Sequence, residues 1–306
     1  MDSASSYQSL HQSLEPRPPI FPFISDKHLS LALPVIAYWV YSAFFHFLDL
    51  QTWKWLDKYR IHQPEEITKR NRVTRWEVLR DVFVQHLIQT IVGFIVLRTE
   101  QDESVPNHAA ALKSLRSPPW NMPNLASAEV MYWFVLPVVR QVIAVVILDA
   151  WEYWIHRFMH VNKFLYRHLH SRHHRLYVPY AYGALYNHPI EGLVLDTLGT
   201  AFAMKVACLS LREAMFFFVF ATMKTGMSDS LIALIEVDDH CGWDFPWDPF
   251  QFLFSNNSVY HDVHHQTYGI KANFSQPFFT FCNPCSFHQA NLRGSYFRDI
   301  HASTRS

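Results

Sequence analysis

Five long apolar stretches restrict the architectures that this chain of 306 residues can adopt. They cover residues 31–50, 82–97, 130–148, 190–211 and 214–235. A helix needs roughly 20 mainly apolar residues to cross the hydrocarbon core of a bilayer. Five such stretches are hard to bury in a single soluble core of this size. We therefore predict an all-α integral membrane protein with about four to five transmembrane or in-membrane helices.

Basic residues orient these helices. Seven Lys and Arg residues lie within 54–75, and five follow the third stretch within 157–175. Positive charge favours the cytosolic side, so the loop 98–129 faces the lumen. The last two stretches then form a hairpin that dips into the membrane and returns. Histidines on both sides of the hairpin therefore meet on the cytosolic face, in a histidine-rich helical cap that holds a di-metal centre.

Composition and spacing divide the chain into four parts. We predict a flexible polar N-terminal tail (1–29), N-terminal membrane helices and loops (30–128), a domain that carries the histidine motifs (129–281) and an atypical C-terminal tail (282–306). The formal net charge is zero, which gives no support for a nucleic-acid partner. Cys282 and Cys285 form a single C-x-x-C pair, which we interpret as two ordinary tail cysteines.

Histidine is the most informative residue type, because ten of the 19 histidines fall into five short groups. The groups are His156 and His160; His170, His173 and His174; His188; His240; and His261, His264 and His265. The H-x-x-H-H pattern should arise by chance about 0.07 times in this chain, yet it occurs twice. Its three positions are expected to converge on one helix face. Unligated histidines packed so densely would repel one another, so we predict that these ten bind metal.

Carboxylates near the histidine groups are expected to hydrogen-bond the ligand imidazoles and to raise their basicity. They are Asp149, Glu191, Asp239 and Asp262. Histidines elsewhere, such as His46, His62, His86, His168 and His301, are interpreted as ordinary structural or surface residues.

The choice of metal follows from the ligands and the membrane setting. A structural zinc site takes four ligands and favours cysteine, whereas ten histidines indicate two metal ions with nitrogen ligands. Imidazole suits iron, copper, zinc and nickel alike. A dinuclear histidine site beside long apolar helices suits oxidation of a lipid chain. An unactivated C–H bond requires an oxidant made from dioxygen, which favours iron over zinc.

The histidine motifs and their neighbours resemble the fatty acid hydroxylase superfamily of sterol methyl oxidases, sterol desaturases and sphingolipid hydroxylases. The matching stretches are 149–157, 165–174, 188–191, 240–247 and 261–265. The stretches 31–41, 59–66, 69–76 and 273–279 are similar to the fungal branch that hydroxylates sphinganine at C4. The resemblance covers roughly residues 25–281, and the chain departs from the family pattern after Phe279.

This resemblance implies a monooxygenase that uses O2 to hydroxylate sphinganine, a long-chain base, or dihydroceramide, giving phytosphingosine or phytoceramide. The ten histidines would bind two Fe ions. Electrons would come from NAD(P)H through a reductase and cytochrome b5. The protein would be a multi-pass protein of the endoplasmic reticulum membrane, with its active site facing the cytosol.

Three other functions stay open at this point. The same oxidant gives a double bond after a second hydrogen abstraction, so desaturation is a close rival, and sterol oxidation is the next. A non-catalytic metal-binding or transport protein is the rival from another class. A transporter would place its ligands near the bilayer midplane on broken helices, whereas these triples flank the apolar stretches.

Overall fold

The computed structural model describes residues 18–99, 108–224, 239–248, 253–271 and 273–280. Across these residues the fold is helical, with two isolated β-bridges and no named strand. The all-α prediction is therefore confirmed for the described part of the chain. Residues 1–17 of the predicted N-terminal tail, the end of the fifth apolar stretch and the whole C-terminal tail with Cys282 and Cys285 lie outside it.

Twelve α-helices occupy the described ranges. They are α1 (Asp26–Asp49), α2 (Lys54–Asp57), α3 (Pro64–Arg70), α4 (Arg75–Thr99), α5 (His108–Arg116), α6 (Leu125–Val130), α7 (Leu136–Val161), α8 (Lys163–His168), α9 (Pro189–Gly192), α10 (Gly199–Val206), α11 (Leu211–Lys224) and α12 (Ser258–His265). Short 3₁₀ segments cover His170–Arg175 and Ala181–Gly183, and π turns cover Met131–Val135 and Leu193–Leu198.

Three of the helical spans in these ranges are long and apolar enough to cross a bilayer. They are α1, α4 and the continuous helix of 37 residues that joins α6 to α7. Pro137 has no backbone N–H and lies just after the π turn that links α6 to α7, where the wider turn accommodates the missing hydrogen bond.

The outer faces of these spans are apolar and open. Phe134 is 67% exposed and Val138 is 61% exposed, although both are large hydrophobic residues. The buried residues of α7 lie mainly in its second half, from Ala144 to Met159. An apolar surface of this extent is typical of helices that face lipid. The chain is therefore a multi-pass membrane protein.

Helices α10 and α11 lie in the described part of the two stretches that we predicted to form a hairpin. The turn between them is fixed near the start of α1, because Arg212 Nε donates to Asp26 Oδ2 at 2.8 Å. Gln141 Nε2 in the early part of α7 donates to the carbonyl of Glu213 at 2.8 Å. The hairpin therefore extends from the histidine end of α7 to the opposite ends of the spans, and α11 packs along α1.

The remaining short helices and loops form a cap over the other ends of the spans. Trp243 Nε1 donates to Asp49 Oδ1 at 3.1 Å, and the Arg60 guanidinium lies 4.2 Å from the Trp243 ring centroid. The N–H of Arg72 donates to the carbonyl of Arg175 at 2.9 Å. These contacts hold the cap against the end of α1 and the start of α4, beside the histidine end of α7.

Candidate metal centre

The structure brings nine of the ten predicted histidines into two groups of potential metal ligands. Site A consists of His156, His160, His170, His174 and His264, and site B consists of His173, His240, His261 and His265. Within each group the potential ligand atoms all lie within 4.8 Å of one another. Eight of the nine are buried, and His160 is partly exposed. Either group could hold a metal ion.

The spacing in site A indicates more than four coordination positions. The Nε2 atom of His160 lies 2.8 Å from that of His170, 3.1 Å from His264, and 3.2 Å from both His156 and His174. Imidazole nitrogens at about 2.1 Å from an ion are about 3.0 Å apart at right angles and about 3.4 Å apart in a tetrahedron. On average, the observed distances are closer to the right-angle value than to the tetrahedral one.

Site B has four buried donors. The Nε2 atom of His261 lies 3.2 Å from that of His240 and 3.0 Å from that of His265. The ring centroids of His173 and His265 are 4.7 Å apart, which closes the group. His173 also stacks on His170 of site A, with centroids 5.7 Å apart, so the two sites are neighbours.

Each H-x-x-H-H triple is divided between the two sites, which differs from the single shared face that we predicted. His170 and His174 enter site A while His173 enters site B; His261 and His265 enter site B while His264 enters site A. On the α-helix α12, positions i and i+4 are about 40° apart, whereas i+3 lies on the other side of position i, so His264 can point away from the face that His261 and His265 share. His170–Arg175 is a 3₁₀ segment, so the direction of His173 depends on how this segment packs.

The outer nitrogens of the ligand rings are held by oxygen atoms. The Nδ1 atoms of four histidines lie near such an oxygen: His156 near Phe274 O (2.9 Å), His170 near Glu191 Oε1 (2.5 Å), His173 near Tyr186 O (3.3 Å) and His265 near Leu176 O (2.7 Å). A carbonyl oxygen accepts only, so the Nδ1–H of the ring donates to it. This tautomer leaves the Nε2 lone pair directed into the site.

Burial also keeps these rings neutral. It lowers the pKa of His173 to about 4 and holds the pKa values of His170, His174 and His261 well below their usual range, with the neighbouring histidines adding repulsion for the last three. Neutral imidazole is the form that binds a metal. The cap therefore presents unprotonated donors at neutral pH.

The four predicted carboxylates have different contacts. Glu191 makes the expected hydrogen bond, because its Oε1 lies at 2.5 Å from the Nδ1 atom of His170. Asp239 Oδ2 accepts from Asn256 Nδ2 at 2.9 Å, and Asp262 Oδ1 lies 2.8 Å from His62 Nε2.

Asp149 supports the metal centre through the backbone of a neighbouring segment. Its Oδ1 atom accepts the N–H groups of Phe278 and Phe279, both at 2.9 Å. The same segment supplies the Phe274 carbonyl that faces His156. The last residues that match the family pattern are therefore packed beneath site A.

His188 lies outside both groups. Its Nδ1 atom accepts the N–H of Ile190 at 3.2 Å and caps the start of α9, where Pro189 occupies the first helical turn. His188 is therefore the one predicted ligand that the structure does not bring together with the others.

Sequence reasoning missed His62, which we interpreted as an ordinary residue. Its Nε2 atom contacts Asp262 Oδ1 at 2.8 Å, and its Nδ1 atom contacts Glu66 Oε2 at 3.2 Å. Burial disfavours its charge, but these two carboxylates raise the pKa of His62 to about 9. The ring is therefore a cation that links α3 to α12. The only signal in the sequence is the i,i+4 spacing of His62 and Glu66, which is common on helices.

Comparison with known proteins agrees with this geometry. Residues 141–284 match the fatty acid hydroxylase family. The sphingolipid C4-hydroxylase of Saccharomyces cerevisiae is 45% identical over 285 residues, which cover 92% of this chain and 76% of the relative. This chain belongs to the fatty acid hydroxylase family.

Two further relatives define its place in that family. Sphinganine C4-monooxygenase 2 of Arabidopsis thaliana is 44% identical over 257 residues, covering 84% of this chain and 85% of the relative. The C-4 methylsterol oxidase of Schizosaccharomyces pombe is 34% identical over 133 residues, or 42% of this chain. No solved structure matches the chain.

Proposed function

We propose that this hydroxylase-family member is a sphinganine C4-hydroxylase that makes phytosphingosine, or phytoceramide when dihydroceramide is the substrate. The observation that carries this proposal is a nine-histidine double site at the ends of apolar helices. The chain that builds this site is 44–45% identical, over most of its length, to relatives named for C4 hydroxylation of sphingolipids.

The nine grouped histidines would hold two iron ions, and His188 is left out of the proposed ligand set. Two features support this assignment: burial lowers the pKa of rings such as His170 and favours the neutral form, and the nitrogen atoms of site A lie closer together than in a tetrahedral site. When bound there, iron would supply the dioxygen-derived oxidant that an unactivated C–H bond requires.

The residues of the chain would position the substrate and the ligands. Burial of the cap excludes water from the donors, and the oxygen atoms at the outer nitrogens fix each ring. The hydrocarbon tail would lie between the membrane helices, with the polar head towards the cap. Because the tail and the polar head of the substrate would both be held, its C4 carbon would be aligned with the metal centre.

Electron supply and location complete the proposal. Insertion of one oxygen atom of O2 into a C–H bond, with reduction of the other to water, consumes two electrons and two protons from outside the substrate. We propose that NAD(P)H supplies the electrons through cytochrome b5 and its reductase, in the endoplasmic reticulum membrane. The Lys and Arg residues within 54–75 and 157–175 flank the cap and support a cytosolic active site.

Sterol oxidation and desaturation are less well supported. The match to the methylsterol oxidase covers 42% of this chain, whereas the sphingolipid relatives match along 84–92% of it. In a desaturation no oxygen atom stays in the lipid. Growth under ¹⁸O₂ therefore separates the two, because C4 hydroxylation leaves one labelled oxygen in the product.

The test uses cells that lack C4-hydroxylated sphingolipids and express the chain, its His173→Ala variant or its His168→Ala variant. His168 is an exposed histidine outside both groups, whose Nδ1 contacts the Phe164 carbonyl, and it serves as the matched control. Mass spectrometry should find ¹⁸O-labelled phytosphingosine with the parent and the control but not with His173→Ala. A membrane-inserted parent that yields none, or yields an oxidised sterol instead, would refute the proposal.

A further inference from the structure

A cavity opens between the membrane helices beside the cap. It has a volume of about 160 Å³ and is lined by residues of α1, α4, α7, the π turn after α9, α10 and α11. Leu31, Pro34, Val35, Phe218 and Ala221 give it an apolar wall. This membrane cavity suits a hydrocarbon chain.

A second, smaller cavity of about 30 Å³ lies against the metal centre. Four of the proposed ligands line it: His170, His173, His240 and His261. The two cavities share three lining residues, namely Glu152, Leu185 and Asp196. A lipid in the membrane cavity would therefore reach the metal centre past these three side chains.

Two of the shared residues are carboxylates without a cationic partner. Glu152 is 4% exposed and has no hydrogen bond or ion pair with any described residue. Asp196 has one long contact, 3.4 Å from Gln89 Nε2. Among the described residues that line either cavity there is no Lys or Arg. Two carboxylates buried side by side are unfavourable when both are charged, and a cation placed between them would offset that cost.

The other carboxylates of the metal-side cavity are already engaged. Glu191 contacts His170, and Asp239 accepts a hydrogen bond from Asn256. The junction between the cavities is therefore the part of the described site where a cationic ligand group is missing.

The geometry points to Glu152 and Asp196 as an ammonium-binding pair that selects the free long-chain base over its N-acylated form. This inference rests on the proposed function. Sphinganine carries an ammonium group on C2, three bonds from the carbon that would be hydroxylated. Its charge would therefore lie within a few ångströms of the reacting carbon, and Glu152 and Asp196 line the same small cavity as four of the proposed ligands. An N-acylated base is neutral there and would leave both carboxylates unpaired.

The test measures lipid binding to the iron-loaded full chain in nanodiscs without oxygen, so that no turnover occurs. Sphinganine should bind roughly 10- to 100-fold more tightly than N-acetylsphinganine, which is the range expected for a charge-assisted hydrogen bond. Glu152→Gln and Asp196→Asn should each remove most of this preference and leave N-acetylsphinganine binding unchanged. Glu213→Gln is the matched control, because its carboxylate pairs with Arg140 at the far end of the hairpin.

Several outcomes would overturn the inference. Equal affinity of the parent for the two lipids would do so without any variant, as would an equal loss of both lipids in the two variants. Product analysis after oxygen is admitted separates this inference from the proposed function. A parent that prefers the ammonium lipid but forms no C4-hydroxylated product refutes the function and keeps the cation site. A parent that hydroxylates both lipids with equal affinity keeps the function and refutes the cation site.

Discussion

Removal of the His62 imidazole should weaken the attachment of α3 to α12 in a pH-dependent way. The two carboxylates raise the pKa of His62 from 6.5 to about 9, and its side chain is only 7% exposed. A shift of this size corresponds to roughly 3 kcal/mol, of which about 2.5 kcal/mol acts at pH 7. The His62→Gln variant should lose about this much stability at neutral pH.

The sign of the pH dependence follows from the raised pKa. The stabilisation is fully present below the pKa of the unfolded chain, near 6.5, and is lost as the pH rises through about 9. Thermal unfolding of the metal-loaded protein in nanodiscs, followed by tryptophan fluorescence from pH 6 to pH 10, measures this difference. The gap between parent and variant should be widest below pH 7 and should close by about pH 10.

The control for this experiment is His168→Gln, because His168 is exposed and its ring contacts the Phe164 carbonyl rather than a charged group of the described residues. It should follow the parent at every pH. A constant gap between the parent and His62→Gln across the pH range would mean that shape rather than charge holds α3 in place. A variant as stable as the parent at pH 6 would refute the reasoning altogether.

Three further changes test the site. Glu191→Gln should weaken metal binding by about 10- to 100-fold in a chelator competition, because the carboxylate orients a ligand ring; unchanged affinity would contradict this. His188→Ala should keep its metal content while His264→Ala loses metal, as measured by mass spectrometry; metal loss in His188→Ala would place that residue among the ligands. Gly269→Ala should lower the unfolding temperature, by roughly 2–3 kcal/mol in stability, because a Cβ there would lie 1.8 Å from the Val263 carbonyl oxygen; an unchanged temperature would show that the turn adjusts freely.

The helical membrane architecture was predictable because it depends on local composition. An apolar stretch of sufficient length has few structures available in a bilayer, so residues 31–50 and 130–148 specify helices whatever their neighbours are. The structure extends these helices to Asp26 and Val161. The ends of these helices are set by N-terminal capping hydrogen bonds and by contacts with the cap over the spans. The Ser25 side chain, for example, accepts the N–H of His28 at the start of α1.

The histidine groups were predictable from their spacing, but their division was not. His173 could join the group that contains His170 and His174 or the group that contains His261 and His265. The outcome depends on how the 3₁₀ segment packs against α12, which is a tertiary contact. His62 and Asp262 contact each other although they are 200 residues apart in the chain, so this contact also depends on the tertiary fold. Glu152 likewise becomes informative only when a cavity is found on both sides of it.

The exchange of the i+3 histidines has a consequence for how the metals can be gained and lost. In the proposed form with two ions, each triple would contribute donors to both ions, so neither ion could leave without loosening the segment that holds the other. Loading of one site would pre-order two of the donors of its neighbour and favour the second ion. The metal content of the protein should therefore change in pairs, and a form with a single ion should be short-lived. In this respect the two sites are one unit that is assembled or dismantled as a whole.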